Sequence, residues 1–286
     1  MKTTIISFIT IILISMIAMS FTNKATKKNI ILIQAFDNQI SSTALSESAN
    51  IISARLKEFN TDKFEVTVIP DKKQIQIEGM IDMDIRAVEN LITKKGRIEF
   101  YIAYNQVELS EILQGDRRLF SLLNTSEVNK SDFRVGCTSM SKIDKVNQFI
   151  NSKISVTKCR FVWGDFTDST NICLYALKTE QNKGSLLTGN DIESVTFNKE
   201  KAFNYWYSEF RFKKPAVKVW SEITKQNINN SVAIVIDNQV ICSPVIRSVI
   251  ENGKCMITGN FTETDVKLFA AFGSHGELPA TFVVVR

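Results

Sequence analysis

Three short β-branched runs, a capped helix and a closing β-branched run follow one another between Ser231 and Val285 with almost no linker. That succession restricts the chain to a mixed architecture. The runs 232–236 and 240–243 flank Asp237, Asn238 and Gln239, and Asp and Asn tolerate left-handed backbone, which predicts a tight hairpin. Pro244 has no N–H for a ladder, so it ends the second strand or leaves it at an edge. Asn252-Gly253 turns the chain into a third strand, 254–258. Thr262 with Asp265 three residues on is a capping-box signal, and Phe261 and Val266 are placed as a hydrophobic staple. Val266, Phe269, Ala270 and Gly273 recur at helical spacing, and Gly273 with Gly276 is expected to stop that helix. With the closing strand 281–285 these pieces are expected to make one α+β unit.

The amino-proximal part has its own order. Residues 29–36 form an apolar strand, and Leu45, Ala49, Ile52, Leu56 and Phe59 mark an amphipathic helix. The runs 64–69 and 74–78, turned at 70–72, read as a hairpin. Asp82 or Asp84 caps a second helix, and 97–104 is another strand, so the order βαββαβ over 29–104 is ferredoxin-like. Helices are expected at 109–123 and 142–150, and a hairpin joins 158–163 to 171–178. In the strand 205–212, Tyr205, Tyr207, Glu209 and Arg211 oppose Trp206, Phe210 and Phe212. Pro215 then opens the helix carrying Ala216, Val219, Trp220 and Ile223.

The string VAIVIDNQVICSPVI…ITGNFT…ELPA resembles the head of the first periplasmic domain of SecD, the auxiliary subunit of the bacterial Sec export machinery. There a hairpin of type AIVLDGKV(I/L)SAPVI precedes an I(T/S)GNF(T/S) helix cap and a GALPA exit. Asn238 stands where the family has a turn glycine, Cys242 is unusual, and His275 and Glu277 alter the exit. LLTGNDIES and AVKVWSEIT also look like head segments, and ALSESANIISARLKEF, QIQIEGMIDMDIRAVENLI and KKGRIEFY look like the family's base. The resemblance implies a ferredoxin-like base, 29–104 plus 277–286, with an inserted α+β head, 105–276. A head that moves on its base implies hinge positions at Tyr104, Asn105, Gly273 and Gly276. The implied work is contact with polypeptide emerging from the Sec channel. The family's proton-driven membrane part has no counterpart here, so an accessory role beside the Sec translocon or SecDF components, binding exported polypeptides, is expected. An envelope peptide- or protein-binding module unrelated to Sec is the alternative.

The remaining residues bound the chemistry. The chain has 286 residues and a net charge of +5, with lysines scattered rather than clustered among stacking aromatics, which argues against a nucleic-acid partner. Lys2 precedes an apolar run, 5–19, and Ala18-Met19-Ser20 offers small residues for cleavage. A removed signal peptide and an uncleaved membrane anchor over 1–20 both fit. Either places the rest outside the cytoplasm, free in the periplasm or tethered to the inner membrane facing it, with the N-terminal segment as the only membrane contact. Five cysteines without a CxxC pair argue against zinc. Cys242 and Cys255 are either bridged in an oxidising compartment or buried as thiols. The single histidine, His275, lies beside Ser274 in the loop SHGELP, with no spacing that supplies an orienting carboxylate. No enzyme, cofactor or metal is expected. The aromatic group around 197–220 packs as core, or leaves Tyr205 and Tyr207, with Arg211, as a polypeptide-contact face.

Overall fold

The computed structural model describes residues 29–59, 64–79, 84–125, 132–153, 158–164, 170–179 and 184–285. The segment 1–20 and Asp82 lie outside them. Strand β1 (Asn29–Ala35) turns Ile31, Ile33 and Ala35 inward. Helix α1 (Ser42–Glu58) starts where the Ser41 hydroxyl accepts from the Ala44 amide, and it buries Leu45, Ala49, Ile52 and Leu56. The hairpin β2 (Phe64–Ile69) and β3 (Gln74–Gly79) turns at Lys73 in left-handed backbone. Asp84 caps α2 (Ile85–Thr93), and β4 (Ile98–Ala103) follows, buried at all six positions.

The helix expected over 109–123 is broken into α3 (Gln106–Ile112) and α4 (Arg118–Ser121), because Gln114 and Gly115 both take positive φ. Next come β5 (Arg134–Ser139), α5 (Ile143–Lys153) and the antiparallel pair β6 (Cys159–Gly164) and β7 (Asn171–Lys178). The short β8 (Leu187–Thr188) leads to β9 (Ile192–Glu200) and β10 (Tyr205–Phe212). Pro215 lies in the first turn of α6 (Lys214–Gln226). The hairpin β11 (Ser231–Ile236) and β12 (Gln239–Cys242) turns on Asp237 and Asn238, both at positive φ. Last are β13 (Lys254–Thr258), α7 (Glu263–His275) with its Thr262/Asp265 capping box, and β14 (Phe282–Val285).

Tertiary pairing redistributes these elements. Residues 231–285 do not make one unit: β11 and β12 join a seven-stranded sheet, β13 a three-stranded one and β14 a four-stranded one. Strand β4 likewise leaves the elements before it and pairs with β11, while the first sheet has the order β14-β1-β3-β2. The physical reason is burial. Both faces of β4 are apolar or internally paired, so it needs cover on both sides. Its Phe100 and Ile102 meet the cluster around Trp220, while Tyr101 and Ala103 face Tyr175, Leu177 and Val235.

Within the seven-stranded sheet β4, β7, β6, β12 and β11 close into a ring, because Ala103 of β4 also pairs with Leu177 of β7. Glu99 is buried at its mouth, accepting from the Tyr101 hydroxyl at 2.9 Å and from Arg160 at 3.2 Å. Burial and the Glu99 contact hold the Tyr101 phenol above its ordinary pKa. Helix α7 joins two cores: Val266, Phe269 and Phe272 pack with β10 and α6 residues, and Ala271 packs with α1 and α2 residues. Each large side chain so buried contributes about 1.5–3 kcal/mol. Among the described residues no helix is long and apolar enough to cross a membrane.

Candidate functional site

The three-stranded sheet β13-β10-β9 has one covered and one open face. Phe210, Phe212, Val195, Cys255 and Ile257 pack inward with Trp220 and Phe100, and the Phe212 and Trp220 rings lie 5.0 Å apart. Strand alternation puts Tyr205, Tyr207, Glu209 and Arg211 on the other face. Their cross-strand neighbours are Asn198 and Thr258 beside Tyr207, Thr196 and Met256 beside Glu209, and Ser194 and Lys254 beside Arg211. The Tyr205 and Tyr207 rings are 6.3 Å apart. From Tyr205 to Arg211 the strip runs about 20 Å at about 3.4 Å per residue.

The charges on this face are unevenly matched. Lys254 pairs with Glu209 at 3.2 Å, which leaves the exposed Arg211 guanidinium without a carboxylate partner among the described residues. Met256, 60% exposed, adds a flexible apolar side chain beside the tyrosines. Reasoning from sequence singled out Tyr205, Tyr207 and Arg211 and missed Met256. The alternation of Lys254 to Thr258 did carry the signal, but only the pairing of β13 with β10 put Met256 on the tyrosine side.

The four residues expected to hinge are all tied. The Tyr104 amide donates to Ala176 at 2.8 Å and the Lys178 ammonium lies over its ring. Asn105 caps α3 through a capping box with Glu108. Gly273 does not stop α7 but lies inside it, where a Cβ would collide with Val195 Cγ2. Gly276, at φ +80°, is the C-cap, and its carbonyl accepts from the buried Arg55. Gly273→Ala should therefore destabilise the protein by up to about 2 kcal/mol, because a Cβ in collision with Val195 Cγ2 puts overpacking at the upper end of about 1–3 kcal/mol, against roughly 1 kcal/mol gained in helix propensity. A denaturant midpoint unchanged or raised would show that the space is not needed.

Of the two alternatives for Cys242 and Cys255, the structure has no bridge between them. The disulfide joins Cys137 of β5 to Cys173 of β7, not Cys242 to Cys255. Cys255 is a free thiol turned into the core of the three-stranded sheet, and burial pushes it up to about 12, while Cys242 ends a strand of another sheet. His275, expected in a loop, is instead the last residue of α7, and its Nε2 lies 3.2 Å from Glu58 Oε2. The Ser274 hydroxyl instead accepts from the Val195 amide at 3.1 Å, so the two neighbours serve different contacts.

Residues 174–280 match the family described as SecDF, P1 head subdomain, a span that contains the whole three-stranded sheet. The chain is 27% identical over 87% of its length to the protein translocase subunit SecD of Calditerrivibrio nitroreducens, covering 41% of that protein. It is 27% identical over 82% of its length to SecD of Endomicrobium trichonymphae, covering 45% of it. It thus spans less than half the length of these relatives. A solved structure of SecDF, described as a membrane component that enhances protein export, matches 90% of this chain and 98% of its own at a TM-score of 0.54 and 19% identity. A SecDF structure in a super-membrane-facing form matches 92% of this chain and 30% of its own at a TM-score of 0.56 and 18% identity. The resemblance to SecD is shown in sequence, and the shared mixed α/β fold in structure.

Proposed function

We propose that this chain takes part in protein translocation as a SecD-like domain outside the cytoplasm, and that it holds polypeptide on the open face carrying Tyr205, Tyr207 and Arg211. The observation that carries this reading is the position of that face within the residues matching the SecDF P1 head subdomain. Two neighbouring phenols offer stacking surface at low entropic cost, and an unpaired guanidinium offers a bidentate site for an acidic side chain. The disulfide between Cys137 and Cys173 suits an oxidising compartment outside the cytoplasm. We read the β14-β1-β3-β2 sheet with α1 and α2 as a ferredoxin-like base, and the elements between α2 and β14 as the head. The role is binding rather than catalysis, with Sec membrane components as partners.

The test is binding of reduced, carboxymethylated α-lactalbumin, a permanently unfolded chain. Tyr205→Ala/Tyr207→Ala should weaken it about tenfold, since each aromatic contact contributes about 0.5–1.5 kcal/mol. Thermal unfolding should shift little, because both rings lie outside the core. Equal affinity in the variant would remove this face from the mechanism. Cross-linking in cells should capture Sec membrane components. Normal export in a deletion strain that loses another envelope function would favour a module unrelated to Sec.

A further inference from the structure

The two edges of the three-stranded sheet are not equivalent. On β9 the Val195 amide points away from β10 and donates to the Ser274 hydroxyl of α7 at 3.1 Å, so a helix side chain blunts that edge. Val195 pairs with Phe210, so the Phe210 backbone groups face β13 and bond with Cys255. Alternation then turns the N–H and C=O of Met256 and Thr258 away from β10. Two neighbouring bonds fit this phase: Phe212 donates to the Gly253 carbonyl at 2.9 Å, and the Lys254 amide is taken by Asn252 Oδ1 at 3.0 Å. The backbone groups of Met256 and Thr258 find no other partner among the described residues.

A groove of about 690 Å³ lies beside the first part of this edge, between Lys254, Met256 and the strap 244–252, and Thr258 lies beyond its end. The strap is held from its far side: Pro244 accepts from Val232, Ile246 donates to Asn230, and Ile250 donates to the Thr224 hydroxyl. Trp220 also lines the groove, and its buried indole N–H has no acceptor.

We infer that the groove admits an extended polypeptide segment as a fourth strand on β13, which rests on the polypeptide-binding reading above and locates its backbone contacts. Main-chain bonds to Met256 and Thr258 give affinity indifferent to sequence. Every second side chain of the guest falls on the face of Met256 and Thr258, beside Lys254, whose ammonium an acidic guest residue meets before Arg211 one strand further in. The fitting partner is an unfolded chain with alternating apolar residues and a nearby carboxylate.

The experiment is amide hydrogen exchange of the full chain with a synthetic twelve-residue peptide alternating Val and Ser around one Asp. The Met256 and Thr258 amides should slow at least tenfold at saturation, while Cys255 and Ile257 keep their rates. Met256→Pro removes only an outward N–H, which an edge strand tolerates, and should cut peptide affinity at least tenfold, whereas Met256→Ala should stay within threefold. If the proline variant does not fold, the exchange rates decide alone. A peptide that binds without slowing those amides, and is lost in Tyr205→Ala/Tyr207→Ala, would overturn the edge and leave the face. Wild-type protein that binds neither this peptide nor unfolded α-lactalbumin would overturn both. Slowing that appears with protein concentration alone would assign the edge to a second copy and overturn the peptide.

Discussion

Arg55→Ala should lower stability by about 4 kcal/mol, or roughly 10 °C in midpoint. The Arg55 side chain is fully buried and, among the described residues, meets no carboxylate within bonding distance. Instead it donates to the carbonyls of Leu91 at 3.2 Å, Lys94 at 2.8 Å, Lys95 at 2.6 Å and Gly276, and it stacks 4.8 Å from the Phe272 ring. Those carbonyls lie at the C-terminal ends of α2 and α7 or just beyond, where the helix dipole favours a cation. Burial lowers its pKa to about 10, so it stays charged at neutral pH. Truncation strands buried acceptors at about 1–3 kcal/mol each and leaves a cavity. Arg55→Lys keeps the charge but not the fork, and should recover less than half of the loss in a urea titration. A loss below 1 kcal/mol for the alanine variant would refute the clamp.

Removing the disulfide with Cys137→Ser/Cys173→Ser should cost about 2–4 kcal/mol, because closing a loop of this length restricts the unfolded chain by up to about 4 kcal/mol. The two cysteines are 36 residues apart and tie β5 to the middle of β7. The same loss should appear in the native protein on adding dithiothreitol, while Cys255→Ser, at a thiol outside any bridge, should show no reductant dependence. Identical midpoints with and without reductant would contradict the pairing. Unfolded-chain binding should survive, since the open tyrosine face belongs to a different sheet.

Much of the local structure was legible before any coordinates. The Asp237-Asn238 turn, the Thr262/Asp265 box and the proline start of α6 appear where residue chemistry placed them. So does the alternation of β10 that separates Tyr205, Tyr207 and Arg211 from Phe210 and Phe212. The break between α3 and α4 was missed because an apolar helical spacing continues across Gln114 and Gly115. Gly273 was misread because a glycine that stops a helix and one that admits a neighbour look alike in a string. Its meaning came from Val195, 78 positions earlier.

By itself the order of residues determined most of the strands and helices, several of their turns and caps, and which side chains of β10 share a face. Those properties depend on neighbours a few positions away. Only the tertiary structure decided that β4 pairs with β11, that Cys137 meets Cys173, that Arg55 clamps two helix ends and that Met256 lies beside the tyrosines. Each of these is a contact between distant residues, selected by which arrangement buries both faces of a strand and satisfies its backbone, and periodicity along the chain holds no record of that choice.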